Sequence, residues 1–382
     1  MVSGHFESVM SNPEIEGALG WTPDNLLIYS LREATPEQGD FGLWRMPLNP
    51  MTARPIGSGM RFASGRGWAD ALSVASDGKS MALRRTEPTD DVYVAGVEAG
   101  AKRLSPRRLT LDDRGDFVFS WTPDSKSVLF LSNREGPLHL YKQAIEQTQA
   151  ELLVGGNDSL AIPRMNSTGT DILYLVMPRH GESPNKVKIM RVPLAGGTPQ
   201  LVLEAHGIWN HQCARAPATL CIYSPTEPNQ QRFFDFDPMT GASNEIAAAR
   251  VAAGSARPNW SLSPDGNFLA TQILSPTQDA AIRILSLDDG SKTILPLQGW
   301  PVFSSLDWAA DGKSLWVGAL NARSGGPETC RLINVERTGK IRLMTDKGDV
   351  CFLAGIPSPD GSHLALEGVK GGSSNVWVLE NF

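Results

Sequence analysis

The stretch Ser120–Gln143, SWTPDSKSVLFLSNREGPLHLYKQ, holds the unit from which the whole chain is built. A tryptophan closes one apolar run. Thr-Pro-Asp-Ser follows: proline pre-sets φ at the first turn position, and aspartate bonds backbone two residues further on. SVLFLS then reads as a strand, NREGP as a polar break and LHLYKQ as another strand. The turn phrase returns as WTPDN at Trp21, VASDGKS at Val74, LSPDGNF at Leu262, WAADGKS at Trp308 and PSPDGSH at Pro357. Degenerate copies stand at Met165 (MNSTGTD) and Arg215 (RAPATLC). Together with Trp121 these make eight units spaced roughly 44–53 residues apart, the period of propeller blades.

Third strands read as LHLYKQ, VKIMRVP or IRILSL, and fourth strands as AELLVGG or TPQLVLEA. Alternating runs with turn signals every 8–12 residues describe antiparallel meanders, with no helix between them. One such sheet cannot bury both of its faces, whereas radial packing buries them and protects the edges. The predicted fold is therefore all-β: a single β-propeller domain over residues 1–382, with four-stranded antiparallel blades, eight in number, or seven as the alternative. The last unit stops at its third strand, NVWVLENF. Residues 1–15 are expected to supply the missing strand, with Phe6–Met10 pairing with Val376–Leu379. Trp21, Trp121, Trp260 and Trp308 are expected to fill gaps between blades. Asp24, Asp77, Asp124, Asp265, Asp311 and Asp360 are read as turn residues.

Composition limits the partners. Of 382 residues, 41% are hydrophobic and 20% charged, so the chain is globular. A net charge of -6 argues against nucleic acid or an anionic membrane surface as the main partner. No run approaches the roughly 20 apolar residues of a membrane-spanning helix, so no membrane insertion of this chain is expected. MVSGHFESVM lacks the pattern of a signal peptide. The four cysteines, at 213, 221, 330 and 351, form no C-x-x-C pair, so neither a zinc ribbon nor a thioredoxin motif is supported. Cys213 and Cys221 in CARAPATLC face each other if that stretch is a hairpin; buried free thiols are the competing reading.

The repeat resembles the TolB-like and WD-like propeller repeat, also found in the gating propellers of prolyl-oligopeptidase-type peptidases. Longer phrases, including LTLDDRGDFVFSWTPDSKSVLFLSNREGPLHLYKQ, SLDWAADGKSL and SNVWVLENF, are similar to the C-terminal propellers of certain bacterial signalling proteins. There, a Ser/Thr kinase or winged-helix domain comes first, usually followed by a membrane helix. This chain has none of those segments. The resemblance implies a sensor or scaffold module of a longer membrane-anchored protein, outside the cytoplasm, where a Cys213–Cys221 disulfide would be favoured.

Catalytic signatures are missing from the sequence. There is no G-x-S-x-G elbow, no P-loop and no G-x-G-x-x-G opening a helix. No catalytic residue, cofactor or metal site is nominated. The segment EAHGIWNHQC places His206, Trp209 and His211 close together, and it carries the alternative reading: a metal-assisted lyase or hydrolase acting on an acidic polysaccharide in the channel. Such a site needs at least one further converging ligand. A more regular feature is a cation after several second strands: Arg32, Arg84, Arg134, Arg179, Arg323 and Lys370. Loops entering the blades add Arg66, Arg114, His206, His211 and Arg257, and Trp209 is nominated with them on the binding face. In a propeller, equivalent positions share one face, and a ring of arginines there would attract carboxylate or phosphate. The favoured reading is a non-enzymatic binding propeller, monomeric, that takes a protein partner or a small anionic ligand on this loop face.

Overall fold

The computed structural model describes residues 8–10, 15–33, 40–98, 103–112, 114–178, 186–225, 227, 230–250, 259–275, 278–320, 330–346, 348–380 and 382. Every regular element among them is a β-strand, and no helix among them is long and apolar enough to cross a membrane. Each of the eight turn phrases closes a hairpin between two strands. Its aspartate works as expected. Asp77, Asp124, Asp265, Asp311 and Asp360 accept the backbone N–H of Lys79, Lys126, Asn267, Lys313 and Ser362, at 2.9–3.1 Å. The residue after each aspartate has φ between 61° and 77°. Glycine fills that left-handed position in four of the five turns because it has no Cβ to clash there.

The chain divides into two compact units, Met1–Pro88 with Gly372–Phe382, and Thr89–Gly371. In the first unit, β1 (Ile15–Trp21), β2 (Leu26–Glu33), β3 (Asp40–Pro47) and β4 (Met60–Arg66) form a four-stranded antiparallel sheet in sequence order. β5 (Trp68–Val74) packs against β1. Ala18, Phe41, Leu43, Ala69 and Leu83 form the core between them. Ser30 is buried there; its hydroxyl donates to the Ala69 carbonyl and accepts the Ala18 N–H.

β6 (Ser80–Gly96) begins in the first unit and ends in the second, where β7 (Arg107–Arg108) pairs with it. Five four-stranded sheets follow. They are β8 (Asp116–Trp121), β9 (Ser127–Ser132), β10 (His139–Ala144) and β11 (Glu151–Val154); β12 (Leu160–Met165), β13 (Asp171–Val176), β14 (Lys186–Pro193) and β15 (Gln200–His206); β16 (Ile208–Cys213), β17 (Cys221–Pro225), β18 (Gln230–Phe236) and β19 (Ser243–Arg250); β20 (Trp260–Leu262), β21 (Phe268–Ile273), β22 (Ala281–Ser286) and β23 (Lys292–Pro296); and β24 (Val302–Trp308), β25 (Ser314–Leu320), β26 (Cys330–Glu336) and β27 (Ile341–Leu343). The last hairpin joins β28 (Val350–Pro357) to β29 (His363–Glu380).

β29 lies between β28 and β6 in a sheet ordered β28-β29-β6-β5. Ser8–Met10 carry no strand, and residues 1–7 lie outside the described residues. β6 and β29 are 17 and 18 residues long. Strands elsewhere in the chain are about half that length. The described strands form seven sheets.

In the second unit the first strands of successive sheets lie side by side, β8 against β12, then β16, β20, β24 and β28, and β28 returns to β8. This closed ring is the multi-blade propeller. Seven of the eight first strands in the chain carry a register shift. A bulge bends a strand and increases its twist, which suits strands crowded around a common axis. The crowding is tight at Gly318, where a Cβ would stand 1.9 Å from the Leu353 carbonyl oxygen.

The tryptophans seal neighbouring sheets. Trp121 Nε1 donates to the Ile356 carbonyl at 2.8 Å, and Trp308 Nε1 to the Ser261 carbonyl at 3.1 Å. Trp260 meets Phe233 edge-on. Trp21, in the first unit, is 47% exposed, whereas Trp260 is 1% exposed. Trp260→Ala should therefore cost about 3–5 kcal/mol through the cavity it leaves, and Trp21→Ala less than about 1 kcal/mol. Chemical denaturation of the two variants checks this; equal losses would contradict the seam-filling role.

Candidate functional site

The first strands of the second unit run from one end of the ring to the other, and each ends at its turn phrase. At that end they surround a cavity of about 370 Å³. Its wall takes Trp121 and Pro123 from the first of the six hairpins, Arg164–Gly169 from the second and Gln212–Ala216 from the third. Ser261, Leu262 and Pro264 come from the fourth, Asp307 and Trp308 from the fifth, and Ile356, Pro357 and Pro359 from the sixth. Most of this lining is apolar or small, with a few charged and amide groups, the usual make-up of a small-ligand site.

The charged groups interact with one another. Arg164 Nη1 lies 3.2 Å from Asp307 Oδ1, with both side chains largely buried. Burial raises the Asp307 pKa, and the Arg164 and Arg215 guanidiniums oppose that rise. Arg164 follows a bulge in which Ile162 has φ 49°, an uncommon conformation for a β-branched residue. The Arg215 guanidinium donates to the carbonyls of Pro359 at 3.3 Å and Pro357 at 3.5 Å, across the ring opening. Burial lowers its pKa, and nearby Asp307 counters the effect. Gln212 Oε1 accepts the Leu262 N–H at 2.7 Å and the Ser261 hydroxyl at 3.3 Å, which holds the amide in one orientation.

His211 stands one residue before Gln212 on β16 and is fully buried. Burial, assisted by the Arg164 charge, pushes its pKa down to about 3, against a smaller opposing effect from the Ile162 backbone. At neutral pH the ring carries no charge. His206 is exposed at the end of β15, so the two histidines do not converge. Among the described residues no group of three His, Cys, Asp or Glu is placed to hold a metal ion. Trp209 is half-buried and packs into the core around Phe233 and Trp260.

The expected ring of cations is only partly visible. Arg179, Arg257 and Arg323 lie outside the described residues. Arg32 sits on β2 and Arg66 on β4, in the first unit. Arg84, also there, makes a bidentate pair with Asp70 at 2.6 and 2.7 Å. Arg134 bridges Asp112 and Asp116, both at 3.0 Å, and lies over the Phe130 and Tyr141 rings. Arg114 lies in the loop before β8, its N–H bonded to Asp112. Lys370 ends the pairing of β29 with β28. In the second unit these loops adjoin the starts of the first strands, the end opposite the cavity. Arg164, Arg215 and Asp307 were not nominated from sequence. The available signal was a charge in an otherwise apolar first strand, as in LAIPRM and VFSSLDW.

All four cysteines form disulfides, Cys213–Cys221 and Cys330–Cys351. The first links the directly paired ends of β16 and β17, at the base of the turn that carries Arg215. The second pairing was not anticipated.

Carboxylates gather at the other end of the ring. Asp116 begins β8, Asp90 and Asp91 lie on β6, and Glu367 lies on β29. Arg108 pairs with the buried Asp91 at 2.6 Å. Burial, then the neighbouring Asp90, pushes Glu367 up to about 8. Asp90 and Asp116 are raised to about 6, mainly by burial.

No protein-family model matches the chain, and no curated protein does. Solved structures do. The putative TolB from Agrobacterium tumefaciens is 16% identical with a TM-score of 0.55, over 74% of this chain and 98% of that one. TolB from Acinetobacter baumannii is 12% identical, TM-score 0.47, over 92% and 82%. Oligogalacturonate lyase from Vibrio parahaemolyticus is 14% identical, TM-score 0.49, over 74% and 98%. At these identities the likeness to the Agrobacterium protein concerns the fold: the chain has a TolB-like β-propeller.

The half-buried Glu367 predicts a pH dependence of stability. Its carboxyl holds a proton in the fold up to about pH 8, while in the unfolded chain it ionises near the ordinary glutamate value. Between those limits the folded state binds more protons, so stability falls as pH rises. Glu367→Gln cannot ionise and escapes that loss, which amounts to at most roughly 5 kcal/mol. Melting curves from pH 5 to pH 8 should show the variant gaining on the parent. Parallel curves would contradict this.

Proposed function

We propose that the chain is a non-enzymatic binding propeller, and that its ligand enters the cavity bordered by Arg164, Arg215 and Asp307. One observation carries the reading: six successive hairpins of a closed ring converge their turn ends on one half-open space holding charged, amide and apolar groups. The lyase alternative needs a ligand set that the described residues do not supply around His206 and His211.

The sequence resemblance to the propellers of bacterial signalling proteins supports a sensor or scaffold role. The two disulfides fit a compartment outside the reducing cytoplasm. The partner is then a protein segment or a small anionic ligand, received at the turn end of the ring rather than on the arginine-bearing loops. Arg84 and Arg134 on those loops are already matched by carboxylates, which weakens their claim on an external anion.

A thermal-shift screen tests the reading. Short peptides, acidic sugars and peptidoglycan fragments would each be added to the full chain. A ligand at 100 times its Kd adds roughly 2.7 kcal/mol to the state that binds it. Thr168, an exposed residue of the cavity wall, offers a plug: Thr168→Trp should abolish the shift with the resting melting temperature unchanged. A shift that survives the plug would place the ligand elsewhere.

A further inference from the structure

We infer that the cavity recognises a carboxylate carried on a short apolar body. The inference rests on the proposal that this cavity is the binding site, and it names the chemistry of the occupant.

In the wall two guanidiniums, Arg164 and Arg215, face one carboxylate, Asp307, while Asp360 lies close enough to Arg215 to help keep it charged. Asp307 reaches Arg164 through one contact at 3.2 Å, and Arg164 Nε is buried without a partner among the described residues. Arg215 has no carboxylate within salt-bridge distance among the described residues, and its two carbonyl contacts are long. Gln212 is fixed through its oxygen, while its buried Nε2 has no partner.

Buried donors without acceptors are costly, and guanidinium groups are matched best by planar two-oxygen anions. A carboxylate supplies that geometry. The rest of the wall sets the body of the ligand. Met165, Leu262, Pro123 and Pro264 are apolar, and about 370 Å³ admits roughly a tripeptide or a small organic acid. Two sources share this chemistry: the C-terminus of a peptide, and a free short-chain acid.

The test uses N-acetylated tripeptides of Ala, Val, Leu and Pro, each made as the free acid and as the C-terminal amide, with isovalerate as the free-acid probe. Binding to the full chain is read by calorimetry. The acids should bind at least tenfold tighter than their amides. Arg215→Gln should bring acid and amide to equal affinity, while Arg215→Lys keeps part of the preference. Melting curves verify that both variants are folded; if either is not, the acid-to-amide ratio on the parent chain decides. Isovalerate that competes with the peptide acids assigns the site to small acids; peptide acids that bind without such competition assign it to chain termini. Amides that bind as well as acids, with Thr168→Trp blocking both, would overturn the carboxylate inference and leave the cavity reading standing. If nothing binds, both fall.

Discussion

The pairing of β6 with β29 is the constraint on which the propeller depends. β28 and β29 alone make a hairpin, and an isolated two-stranded ribbon is marginal in water. The strands that complete that sheet, β6 and β7, come from near the other end of the chain. Only when they dock does β28 stand firmly between β24 and β8, so that the first strands close into a ring. Closure also removes the raw edges that an open stack of sheets would present. The contact is non-local, separated by more than 250 residues, so it carries a large loop-closure cost and is expected to form late.

Everything at the cavity follows from that ring. The tryptophans at strand ends seal one sheet to the next, with Nε1 hydrogen bonds to neighbouring carbonyls. Bulges bend the first strands, and turn aspartates bond the backbone at four of the six hairpin tips around the cavity. Charges placed there are poorly hydrated. Arg164, Arg215 and Asp307 depend on one another for compensation, and His211 between them stays neutral. The opposite end has a different balance. Its carboxylates, Glu367 among them, outnumber the arginines that reach them, which ties the stability of the closing sheet to pH.

The candidate site was only partly legible in the sequence. The cations after second strands formed a visible pattern because they recur with the repeat. The structure pairs Arg84 and Arg134 with nearby aspartates, a match that depends on which strands lie side by side. Arg164 and Arg215 lie in the two degenerate repeats, where the turn phrase is hardest to recognise. For Arg164 the departure from the repeat was itself the clue, since a charge in a first strand needs a reason. Asp307 looked like part of the phrase around Trp308, yet its side chain meets an arginine 143 residues away.

The chain alone determined its local structure: the meanders, the eight hairpins, the turn role of each aspartate and the all-β class. These depend on residues within a few positions of one another, where periodicity and turn chemistry act directly. The number of sheets, the division into two units and the choice of β6 as partner for β29 were decided only by the tertiary structure. Strand pairing is a competition between edges of similar chemistry, and repeats make those edges nearly alike. Which pairing wins depends on burial across the whole ring, and so does which end of the channel collects unmatched guanidinium groups.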